Sequence, residues 1–78
     1  MRQRFMPNDV VYHILSDGTI GCSAVDFIHI KPLKITCTIL TKRGDGWKPI
    51  AVDQEDLFKT RQLAEREVQR RQEGEEHG

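Results

Sequence analysis

Thr19-Ile20-Gly21-Cys22-Ser23-Ala24-Val25-Asp26-Phe27-Ile28-His29-Ile30 is the stretch on which the fold turns. Its first half alternates as a strand does. Ile20, Cys22 and Ala24 share one face, and Thr19, Gly21 and Ser23 share the other. From Val25 onward the phase slips. Val25 and Ile28 both suit a core but differ in parity, so a regular strand cannot bury both. A bulge or sharp bend near Asp26 resolves the conflict. A strongly bent strand is how a small barrel turns a corner.

On the N-terminal side, Ser16-Asp17-Gly18 predicts a hairpin. Asp-Gly supplies the positive φ values of a tight type I′ turn. Before it, Val10-Val11-Tyr12-His13-Ile14-Leu15 has strand composition and length, and Pro7-Asn8-Asp9 is turn chemistry. Residues 1–7 read as a flexible N-terminus.

On the C-terminal side, Lys31-Pro32-Leu33-Lys34 makes a turn. The next strand places Ile35, Cys37 and Ile39 inward, with Thr36 and Thr38 outward. A glycine-rich turn over 42–46 leads to Trp47-Lys48-Pro49-Ile50-Ala51-Val52. Pro49 cannot donate a ladder bond, so this strand belongs at a sheet edge or is irregular. Past Leu57 and Phe58, Thr60 is placed to cap a helix. Leu57, Phe58, Leu63, Ala64 and Val68 would dock that helix, Glu67 and Arg71 form a favourable i,i+4 pair, and Gly74 is a natural stop. Residues 73–78 are expected to be a disordered acidic tail, leaving one domain over 8–72.

Seventy-eight residues allow one small core. Net charge is zero, so there is no global pull toward nucleic acid or anionic membrane. The charge is unevenly placed, however. Over 59–72, Lys59, Arg61, Arg66, Arg70 and Arg71 outnumber Glu65 and Glu67, while 73–78 holds three glutamates and no Lys or Arg. Two cysteines, Cys22 and Cys37, make no disulfide framework, and no apolar run approaches the length of a membrane span. A cytoplasmic protein with reduced thiols is expected.

The chain resembles a group of small proteins frequent in phage and prophage genomes, which have an SH3-like barrel and a C-terminal helix. Asn8-Asp9-Val10-Val11-Tyr12 matches their opening Gly-Asp-x-Val-Tyr. Val25, Ile28 and Ile30 match the middle, and Glu55-Asp56-Leu57-Phe58 with Thr60, Ala64 and Glu65 matches the close. The likeness spans roughly residues 8–68 and rests on fold-forming residues. Asn8 replaces a glycine and Cys37 replaces a tyrosine of the pattern. The group has no assigned activity, so no functional residue carries over. The expected fold is mainly β (α+β): a small SH3-like barrel of four to five antiparallel strands with one C-terminal helix.

Candidate chemistry is sparse. His13, His29, Cys22 and Cys37 are conventional zinc ligands, but they lack CxxC or HxxxH spacing. Both cysteines read as small inward residues and both histidines as half-exposed. Asp53, Glu55 and Asp56 suit a turn before a helix as well as they suit acid–base work. No cofactor and no catalytic residue is expected.

Trp47, ringed by Lys42, Arg43 and Lys48, is the best binding candidate. An indole among cations can stack a base while the cations meet phosphates. Alternatively it closes the barrel mouth or covers the helix, since tryptophan is highly buried on average. Arg61, Arg66 and Arg70 form a basic helix edge that suits nucleic acid or an acidic protein, or is simply a solvated face. A non-enzymatic module that binds a protein is therefore expected, as a monomer or weak homodimer. Nucleic-acid binding through Trp47 is the alternative.

Overall fold

The computed structural model describes residues 2–76. Five strands are present: β1 (Val10–Ile14), β2 (Ile20–Ile30), β3 (Ile35–Arg43), β4 (Gly46–Asp53) and β5 (Leu57–Phe58). A 3₁₀ turn over Gln54–Asp56 precedes β5, and helix α1 (Arg61–Glu76) ends the described chain. The strands form one antiparallel sheet in the order β4-β3-β2-β1-β5. No described helix is long and apolar enough to cross a membrane.

The expected mainly β architecture with a C-terminal helix is present, but the sheet is open. Its edges, β4 and β5, do not pair with each other. The reason lies in β5, which spans only two residues and meets β1 at Tyr12 and His13 alone. Such a short strand cannot extend the ladder round to β4. Pro49 lies on the β4 edge, where its missing N–H costs no sheet hydrogen bond.

The phase slip in β2 is a bulge. Val25 pairs with Ile39 and Phe27 with Thr38, so Asp26 is passed over. Ile28 then pairs with Cys37, which places Val25 and Ile28 on the same face. The core on that face is Phe5, Val11, Val25, Cys37, Ile39 and Leu57, with Ile28, Ile50 and Val52 against it.

Before the bulge, core parity belongs to Gly21, Ser23 and Val25. Cys22 therefore points outward and is exposed, contrary to its inward assignment, whereas Cys37 is buried. The two cysteines lie on opposite faces of the sheet.

The Asp17-Gly18 hairpin forms with a different turn. Gly18 has φ +87°, but Asp17 is not in the positive-φ region, so the turn is not type I′. The Gly18 N–H donates to the Leu15 carbonyl at 2.9 Å and the Leu15 N–H to the Thr19 carbonyl at 2.8 Å. This is a three-residue loop with glycine at the left-handed position. Asp17 Oδ1 accepts from the Thr19 N–H at 3.0 Å and from the Thr19 hydroxyl at 2.6 Å. These bonds hold its carboxyl below the usual range and favour this turn over the symmetric one.

Phe5, within the segment expected to be flexible, is buried in the core. The Arg4 N–H donates to Gln54 Oε1 at 3.0 Å, and Gln54 Nε2 donates to the Arg2 carbonyl at 2.7 Å. Gln54 is itself buried, so its amide is satisfied by the segment it holds. Asn8 adopts φ +77°, a left-handed conformation that asparagine tolerates better than most side chains.

Helix α1 begins where the sequence placed it. Thr60 Oγ1 accepts the Leu63 N–H at 3.2 Å. Ala64 is fully buried and Val68 half-buried, but Leu63 is 43% exposed and does not dock. Nor is Gly74 a stop, since the helix continues to Glu76. Glycine terminates a helix by adopting positive φ, and Gly74 does not. Residues 73–76 are thus helical, and His77 and Gly78 of the expected tail lie outside the described residues.

Candidate binding surfaces

Strand alternation divides the sheet into a core face and an outer face, and the outer face is apolar. Val10 pairs with Ala24, Ala24 with Leu40, and Leu40 with Pro49, giving one uninterrupted apolar row across β1 to β4. Beside it Phe27, Thr38 and Ala51 form a second row. The row members are exposed or half-buried; Val10 is 57% and Phe27 59% exposed. The Phe27 and His29 rings meet with centroids 6.5 Å apart.

Trp47 stands at one end of this face, 63% exposed. It closes no barrel mouth and covers no helix. Its cross-strand partner is Lys42, so indole and ammonium stem share a face. Lys48 pairs with Thr41 and has the opposite parity. Arg43 pairs with Gly46, and its side chain lies outside the described residues. The four-residue cluster read from sequence is therefore one tryptophan with one same-face lysine.

The basic helix edge is also divided. Arg61 lies 3.5 Å from Glu65. Arg70 donates twice to Glu67, at 2.7 and 2.8 Å, and Arg71 once at 2.9 Å. Hydrogen bonds from both arginines hold the Glu67 carboxyl at about 2. Arg66 has no salt bridge among the described residues. It borders a slot of about 350 Å³ whose apolar wall includes Phe5, Leu57, Phe58 and Leu63. Arg4 and Lys59 border the same slot.

A concavity of about 860 Å³ is lined by His13, Ser23, Ile50, Val52, Asp56 and Arg71 among others. His13 is buried rather than half-exposed, because its parity is that of Val11. Burial pushes its pKa below the ordinary value. His13 Nε2 lies 3.1 Å from Ser23 Oγ, and the ring rests on Gly21, where a Cβ would stand 2.9 Å from it. A buried His beside a Ser hydroxyl has the spacing of a base and a nucleophile. No described carboxylate or carbonyl accepts from the other ring nitrogen, so the orienting third group of such a system has no counterpart. What the pair does accomplish is mutual satisfaction: no buried polar side-chain atom among the described residues lacks a partner.

Sequence reading missed this pair and the Gln54 clasp. The signal for His13 was its spacing of two from Val11; for Ser23 it was the bulge, which fixes Val25 inward and Ser23 with it. Among the described residues no cluster of three or more His, Cys, Asp or Glu side chains could hold a metal ion. Asp53 instead lies 3.7 Å from Lys34, and Glu55 and Asp56 sit in the 3₁₀ turn. Comparison with protein-family models, curated proteins and solved structures yields no match.

Proposed function

We propose that the chain is a non-enzymatic binding module that docks a protein partner on the outer face of its sheet. The observation that carries this reading is the apolar row Val10–Ala24–Leu40–Pro49, with Phe27 beside it and Trp47 at the end. Contiguous exposed apolar surface is characteristic of protein interaction sites, and aromatic anchors carry most of the energy in such contacts. An SH3-like reading of the fold accompanies the proposal. It is supported by the strand order, with β5 beside β1, and by the 3₁₀ turn before β5. Placement in the cytoplasm, and kinship with small phage or prophage proteins, belong to the same proposal; two free cysteines on opposite faces fit a reducing compartment.

The test is retention of a partner from source cells by the immobilised domain. A partner held by the wild type, and lost on Phe27→Asp with Trp47→Asp, supports the reading. Retention indifferent to that double substitution sinks it. Nucleic-acid binding is the second reading, favoured by the exposed indole opposite Lys42. It requires Trp47 emission to change on adding single-stranded oligonucleotide at low salt, with affinity falling steeply as salt rises.

A further inference from the structure

We propose a second site: the slot between the N-terminal segment, β5 and α1 binds an acidic peptide segment carrying one bulky apolar side chain. Phe5 and Leu57 form its buried floor, and Phe58 and Leu63 line the apolar part above it. Leu63 lies off the docking line of the helix, which runs through Ala64 and Val68, and it stands 43% exposed beside Phe58 with no apolar partner closing over it. The volume, about 350 Å³, is that of a small ligand pocket and admits one large side chain.

The rim selects the charge. Arg4, Lys59 and Arg66 border the slot and have no salt bridge among the described residues. Of the two acids on the rim, Glu67 is engaged by Arg70 and Arg71, leaving Glu55. Cations around an apolar pit complement carboxylates that flank an apolar anchor. A nucleic acid fits less well, because its backbone needs a continuous basic track with open stacking platforms, and here Glu55 and Glu67 interrupt the rim. The site shares no residue with Val10, Phe27 or Trp47, so its success or failure is separable from that of the outer face.

The probe is a short fluorescent peptide with one phenylalanine flanked by glutamates, titrated with the full chain by anisotropy. Saturable binding is expected, weakened about tenfold by Arg66→Glu and by Leu63→Asp, each at an exposed position, and unchanged by Phe27→Asp. Lys59→Glu gives an independent check on the rim. The proposal is overturned if the peptide does not bind, or if Arg66→Glu leaves its affinity unchanged. It is equally overturned if an all-glutamate peptide without phenylalanine, or a single-stranded oligonucleotide, binds as well.

Discussion

The two faces of the sheet are built from alternate residues of the same strands and solve different problems. The core face gathers Val11, Val25, Cys37 and Ile39, all nearly inaccessible. One position along, the outer face presents Val10, Ala24, Leu40 and Phe27, of similar apolarity but left exposed or half-buried. Hydrophobicity alone therefore does not mark the inside of this protein. What separates the faces is closure: the core face is covered by Phe5, Leu57 and the buried side of α1, whereas on the outer face Thr36 is buried but Val10, Ala24, Phe27 and Trp47 stand exposed.

The sharpest probe of that contrast is a pair of neighbours on β3. Ile39→Ala is expected to cost about 2–5 kcal/mol, since Ile39 is fully buried and its removal leaves a cavity. Leu40→Ala, half-buried on the outer face, should cost under about 1 kcal/mol. Urea denaturation midpoints measure both, and equal costs would break the distinction between the faces.

Next in size is Gly21→Ala, at about 1–3 kcal/mol. The new methyl would meet the His13 ring at 2.9 Å and strain its bond to Ser23. A neutral result would mean that the ring moves freely within the concavity.

His13 also makes the core face sensitive to acid. Its folded pKa lies below the ordinary 6.5, with burial as the cause. Above that value neither folded nor unfolded chain is protonated there, and the full contribution to stability is present. As pH falls through 6.5 the unfolded state takes up protons first, so stability declines until the lower folded pKa is passed. Tm should fall between pH 7 and pH 5 more steeply in the wild type than in His13→Gln. Parallel slopes would remove His13 from the account.

The smallest expected effect is on the open face. Phe27→Asp should change stability by no more than about 0.5 kcal/mol, read by thermal melting, because the ring is 59% exposed. A large loss would show that the outer face contributes to folding rather than being free for docking.

Much of this architecture was legible in residue order. The conflict between Val25 and Ile28 located the bulge, Pro49 marked an edge strand, and Thr60 marked the helix start. Closure was not legible, because it depended on how few residues of β5 reach β1. The inward reading of Cys22 failed because the bulge was not followed back along the strand: with Val25 inward, Ser23 and Gly21 share its face and Cys22 takes the other. The alternative for Trp47, burial at a barrel mouth or under the helix, rested on the average behaviour of tryptophan, and its strand position decided otherwise. At the candidate sites, Lys42 and Trp47 were associated by proximity in sequence, and the hairpin register keeps them together. The slot beside α1 was not legible beyond Lys59, Arg66 and Arg70, since Arg4 and Phe5 arrive there only through the Gln54 clasp.

That clasp has a kinetic consequence. Gln54 and Arg4 are separated by 50 positions, whereas β1–β2, β2–β3 and β3–β4 are each joined by a short hairpin. Loop-closure entropy favours the neighbouring pairings first. The clasp is then a late latch on a sheet already formed, and its opening is a low-energy route to a partly undone molecule in which Phe5 leaves the core while the hairpins persist. Gln54→Ala should therefore raise amide exchange in the N-terminal segment and β5 well before it affects the β2–β3 ladder.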